Sequence, residues 1–185
     1  FYTLITVLSV PITSALLPAF SKIDSTTKRR ARLFFKLANK FATLIILPSA
    51  LLVIIFSTEI VGTVYGSTFQ QAPLFLSTYC LLYFLAGLGS ITLTSFYNGL
   101  GETRTTLAIS LFTFIPLLVL SPLLTRTYKV EGLITAFLIS SAIGTAYAAH
   151  KAIRKFKLEF SASSLAKIYI ASSVSCIPSL SMSSF

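Results

Sequence analysis

The side chains of this chain that could do chemistry are few, and the most regular of them are cations. Lys28, Arg32, Lys36 and Lys40 recur at every fourth position, a spacing that lines them along one side of a helix. Leu33, Phe34, Leu37, Ala38 and Phe41 fill much of the remainder, and Asp24 or Ser25 could cap the start. An amphipathic segment of this kind over 25–40 is expected to lie on a lipid leaflet before the chain turns inward. Its long cationic side chains would snorkel to phosphate. The plain role of such a stripe is topology and lipid adhesion; the sharper one is recognition of an anionic lipid-linked group. Arg104, in the turn Asn98-Gly99-Leu100-Gly101-Glu102-Thr103-Arg104-Thr105-Thr106, is the other candidate for meeting an anionic head group.

Nothing else in the chain forms a catalytic constellation, so no enzyme activity is expected. The single histidine, His150, adjoins a basic loop and has no carboxylate or cysteine at ligand spacing. The five acids, Asp24, Glu59, Glu102, Glu131 and Glu159, fall in loops or at the ends of apolar runs, whereas membrane proton relays and cation sites place ionisable groups inside a bundle. Cys80 and Cys176 each sit in the middle of an apolar run, where packing is the expected role rather than a disulfide or a metal. Gly99-Leu100-Gly101 is too short for a phosphate-binding fingerprint and does not lie between strand and helix. No metal and no cofactor is expected.

The elements that must carry these residues are set by composition. The chain of 185 residues is 55% hydrophobic and 11% charged, with a mean hydropathy of +0.85; a soluble domain carries about 25% charged residues. Its solvent must be lipid. A bilayer core about 30 Å thick takes roughly 20 apolar residues of helix to cross, and the uncharged runs mark six spans near 1–20, 41–57, 73–98, 105–125, 132–149 and 165–182. The last is weakened by Ser172, Ser173, Ser175, Ser179 and Ser181 and by Pro178. None of the runs alternates polar with apolar as a membrane barrel does. The expected fold is therefore all-α, a polytopic integral membrane helix bundle in one domain.

Charge gives the orientation. Seven Lys and Arg lie between Lys22 and Lys40, one in the 98–106 turn and four between Lys151 and Lys157, whereas the alternate loops hold none (Glu59–Ala72) and two (Arg126, Lys129). The basic side is expected to be cytoplasmic, in a multi-pass cell-membrane protein. The net charge of +10 sits in short blocks between apolar runs, so it points to anionic lipid rather than to nucleic acid. Loop Thr58–Ala72, with Gly62, Tyr65, Gly66, Gln70 and Gln71, reads as a short external reversal. Phe1 opens in the middle of an apolar run without a methionine or a charged leader, so no signal peptide is expected and the chain reads as part of a longer membrane protein.

Two stripes of small residues should face other helices. Gly132, Ala136, Ser140, Gly144 and Ala148 recur at every fourth position, as do Ala86, Ser90, Thr94 and Asn98. In lipid, small residues let helix backbones approach. Pro11, Pro18, Pro48, Pro116 and Pro178 lie inside apolar runs and Pro122 near an end; each removes a helix hydrogen bond and tends to kink.

The 98–107 turn, after a span ending Phe96-Tyr97-Asn98, resembles the inter-helix turn of the MATE-like exporter superfamily, which includes multidrug exporters and flippases for lipid-linked polysaccharide units. Leu16-Leu17-Pro18-Ala19-Phe20-Ser21-Lys22 with the basic stretch after it, Ile60-Val61-Gly62-Thr63-Val64-Tyr65-Gly66-Ser67-Thr68-Phe69, and Lys129-Val130-Glu131-Gly132-Leu133 resemble the polysaccharide flippases. The resemblance implies two helical lobes about a pseudo-two-fold, a central cavity and alternating access, with this chain most of the C-terminal lobe and a missing N-terminal lobe as its partner. It implies membrane lipids and a lipid-linked glycan as further partners. No Lys or Arg lies in the middle of a span, so head-group contacts inside a cavity would come from the absent lobe or from Ser, Thr, Tyr and Asn. A drug or cation antiporter of the same superfamily, a non-transporting membrane subunit and a membrane-embedded transferase subunit are the rival readings.

Overall fold

The apolar runs fold as helices around one long central rod. The structure is a computed structural model and describes residues 2–22, 28–66, 71–158 and 162–175. Asp24, Ser25, Gln70, Glu159, Cys176, Pro178, Ser179 and Ser181, and the end of the sixth run, lie outside the described residues. The rod is α2, Lys28–Ile55. Around it stand α1 (Tyr2–Ser21), α3 (Ser57–Tyr65), α4 (Ala72–Cys80), a 3₁₀ segment (Leu81–Leu88), α5 (Thr92–Gly99) and α7 (Ala162–Ser175), with α6 (Thr103–Phe156) against α4, the 3₁₀ segment and α5. No strand occurs among the described residues. Among the described residues two helices, over Arg29–Ile55 and Thr103–Phe156, are long and apolar enough to cross a membrane, and the bent pair Ala72–Leu88 and Thr92–Gly99 makes a third span if taken as one.

Four sequence expectations change at this level. The basic segment does not turn before entering the bundle: α2 runs unbroken from Lys28 through Lys40 to Ile55. Its buried face continues in phase through Ala31, Phe35, Asn39, Ala42, Thr43 and Ile46, so one stripe carries the helix across the change in polarity. The Thr58–Ala72 loop begins as a helix, α3, with Glu59 in its first turn, where a carboxylate is favoured by the helix dipole. Gly66, at φ +73°, ends it.

The run 73–98 is not one helix. It bends by 50° between the 3₁₀ segment and α5, and Gly89 sits in the left-handed region at φ +86°. A 3₁₀ stretch longer than three or four residues is uncommon and often marks a hinge. Finally, the Arg126–Glu131 loop is carried by helix-like backbone, and α6 reverses at a single non-helical residue, Lys129, at φ 51° and ψ −127°. Its limbs, 103–128 and 130–156, form a hairpin in which Phe112 stacks on Tyr147 at 4.1 Å. The reversal falls beside Gly132 rather than at Pro116 or Pro122, which lie inside the first limb.

Candidate functional site

Two apolar clusters divide the bundle into a cation-rich end and an opposite one. At the first, Phe96 of α5 is the hub: Phe20, Phe35 and Phe156 meet its ring edge-on with centroids 5.3, 5.3 and 5.2 Å away. Tyr97 beside it donates from its hydroxyl to the Ala148 carbonyl at 3.0 Å. Edge-to-face rings of this kind add about 0.5–1.5 kcal/mol per pair beyond area burial. They tie the end of α1, the start of α2, the end of α5 and the end of α6 together, and with them Lys22, the α2 cations, Arg104 and the cations from Lys151 to Lys157. The other cluster, with Ala50, Val61, Ala72, Leu76 and Cys80, joins α2, α3 and α4. The Lys129 reversal lies with Gln71 and Phe75 at that opposite end.

The predicted cations do not converge on one point. Arg32 is partly buried, Lys36 and Arg104 are exposed, and the side chain of Lys28 lies outside the described residues. Glu102 pairs with Lys155 across the hairpin at 2.5 Å. That hydrogen bond, outweighing the cost of partial burial, holds the Glu102 carboxyl below its ordinary range, with the charge of Lys151 assisting. His150 is exposed, and no group of acids, cysteines and histidines able to hold a metal occurs among the described residues.

The small-residue stripes part company. Gly132, Ala136, Ser140, Gly144 and Ala148 are all buried. A Cβ at Gly132 would overlap the Leu124 carbonyl oxygen, and one at Gly144 would overlap Thr113 Oγ1, so both glycines seal the α6 hairpin. In the other stripe only Ala86 is buried; Ser90 is partly exposed and Thr94 and Asn98 are exposed. The 3₁₀ turn and Gly89 shift the helical phase, so the buried face of α5 is Thr92, Leu93, Ser95, Phe96 and Tyr97. Ser90 and Thr94 instead line a cleft of about 380 Å³ between the 3₁₀ segment, α5 and both limbs of α6. Thr113, Ser141 and Thr145 add hydroxyls to its wall, and Tyr79 stacks on Phe137 at 5.7 Å.

The break itself is held from two sides. Asn39 Nδ2 donates to the Gly87 carbonyl at 3.1 Å, and Thr92 Oγ1 donates to Asn39 Oδ1 at 2.7 Å. On the other flank the Tyr169 hydroxyl of α7 donates to the Phe84 carbonyl. Carbonyls freed by a broken helix need such partners where water is absent. Neither Asn39 nor Tyr169 stood out in the sequence. The available signal was an asparagine in phase with Phe35, Ala42 and Ile46, hidden because it fell between basic neighbours.

A family model described as lipid II flippase MurJ matches residues 1–185, the full length of the chain. The chain belongs to the MurJ family. A solved structure titled lipid II flippase MurJ, inward closed conformation, shares the fold with a TM-score of 0.75 at 21% identity. The likeness covers 94% of this chain and 37% of that one, so the chain spans little more than a third of that MurJ. No curated protein matches. Membership in the MurJ family agrees with the MATE-like resemblance of the 98–107 turn and with an integral membrane helix bundle.

Proposed function

We propose that this chain is the C-terminal part of a flippase that moves a lipid-linked glycan of the lipid II class across the cell membrane by alternating access. The full-length match to the MurJ family model carries the reading. The apolar spans support it, as does the helix broken at Gly89, because discontinuous helices are a recurring feature of transporters that rock one bundle against another. The cation-rich end faces the cytoplasm in this reading. Lys28, Arg32, Lys36 and Arg104 there meet the diphosphate of the cargo or the head groups around it. Gly132, Ala136, Ser140, Gly144, Ala148 and Ala86 pack the lobe, and the rest of the flippase supplies the N-terminal lobe. Within the superfamily this reading favours the glycan-lipid flippases over the drug and cation antiporters.

The test is translocation of a fluorescent undecaprenyl-diphosphate disaccharide by the full-length protein in proteoliposomes. Transport should occur, and Arg32→Ala, Lys36→Ala and Arg104→Ala should slow it. Transport of an organic cation with none of the glycan lipid would overturn the class; full rates in all three variants would remove the assigned roles.

A further inference from the structure

On α2, Arg29, Arg32, Leu33 and Lys36 line a notch of about 160 Å³. None of its three cations has an ion pair among the described residues, and the one acid–base pair found there, Glu102 with Lys155, lies elsewhere. Arg32 Nε is buried in the protein and has no hydrogen-bond acceptor among the described residues. A guanidinium N–H removed from water without an acceptor is costly, and an anion in the notch would supply one.

The surface beyond the notch indicates the kind of anion. Leu33, Leu37, Phe41, Leu44 and Ile45 are all exposed and continue from the notch down one side of α2. From Leu33 to Leu44 the helix rises roughly 16 Å, comparable to much of one extended acyl chain. An inorganic anion uses the cations and leaves this lane bare; a phospholipid covers both. We propose that the notch is a resident binding site for the phosphodiester of an anionic membrane phospholipid. Arg29, Arg32 and Lys36 hold the phosphate, and an acyl chain lies along the Leu33–Leu44 lane. The site rests on the proposed function given above and deepens it: the phospholipid is the head group beside the cargo that Arg32 and Lys36 meet.

The experiment uses the full-length protein in detergent and counts bound lipid by native mass spectrometry. Phosphatidylglycerol, phosphatidylcholine, inorganic phosphate and undecaprenyl diphosphate are the probes. Each cation near an anionic surface is worth on the order of five-fold in affinity, so Arg32→Gln with Lys36→Gln should weaken phosphatidylglycerol binding roughly 25-fold. Leu37→Asn, on the lane, should weaken phosphatidylglycerol and leave inorganic phosphate unchanged. Arg29→Gln, at an exposed position, gives a graded loss without a risk to folding. Unchanged phosphatidylglycerol binding in the double variant overturns the proposal. So does phosphatidylcholine binding as tightly, inorganic phosphate binding with no preference for the lipid, or selective binding of undecaprenyl diphosphate alone. The glycan-lipid transport assay reads cargo separately, so a failure there with the lipid site intact would count against the flippase reading only.

Discussion

The α6 hairpin makes a quantitative test possible because its two glycines meet different kinds of atom. A Cβ on Gly132 would overlap the Leu124 carbonyl oxygen and stand 3.0 Å from the Thr125 nitrogen, both backbone. A Cβ on Gly144 would overlap Thr113 Oγ1, with Thr113 Cβ 3.1 Å away and the Ile109 carbonyl oxygen at an ordinary 3.6 Å. Alanine favours a helix over glycine by about 1 kcal/mol, while overpacking costs about 1–3 kcal/mol. Gly132→Ala should therefore destabilise by about 2 kcal/mol, the upper end of the overpacking cost less the helix gain, since no side-chain rotation relieves a backbone clash. Gly144→Ala should lose about 1 kcal/mol alone. It should recover most of that when combined with Thr113→Ala, which removes the clashing oxygen and only a local bond to the Ile109 carbonyl. Unfolding of the full-length protein in detergent, followed by heat and by titration with a denaturing detergent, measures both. Strict additivity of Gly144→Ala and Thr113→Ala, or an unchanged midpoint for Gly132→Ala, would refute the close approach of the limbs.

Two further predictions follow from polar contacts. Asn39→Leu removes the donor to Gly87 and the acceptor of Thr92 and should cost about 1–2 kcal/mol, with faster hydrogen exchange over 84–92; exchange unchanged there would mean that the break is held without Asn39. The Glu102 carboxyl titrates below its ordinary range through Lys155, so its contribution is complete above the unfolded value near pH 4.3 and is lost as pH falls through the lower folded value. Because the pair is partly exposed, Glu102→Gln should lower stability by less than about 1 kcal/mol at pH 7, a difference that vanishes in acid. A difference that grows in acid would contradict the sign.

Much of the fold was legible because uncharged runs and alternating basic blocks are long-range signals. The stripe from Gly132 to Ala148 was legible too, because an unbroken helix keeps its four-residue phase. The parallel stripe from Ala86 to Asn98 misled, since the 3₁₀ turn and the left-handed Gly89 shift the phase between Ala86 and Thr94. Periodicity cannot report a break that tertiary hydrogen bonds from Asn39 and Tyr169 maintain. The pairing of Glu102 with Lys155 rather than with a neighbour in its own turn depends on Phe96 and Phe156 meeting, a contact between residues far apart in the chain. Continuity of α2 through Lys40 is carried by the buried face from Ala31 to Ile46, which charge content along the sequence does not report.

The proposed function requires a chain that threads back and forth through the bilayer with its cations gathered at one end. Single cysteines at Lys36, Arg104, Tyr65 and Tyr128, all exposed, placed in a full-length protein without its native cysteines, can be treated in intact cells with an impermeant maleimide. Labelling at Tyr65 and Tyr128 alone, with Lys36 and Arg104 reacting only after the membrane is opened, is the predicted result. Labelling of Lys36 and Tyr65 from the same side would contradict it.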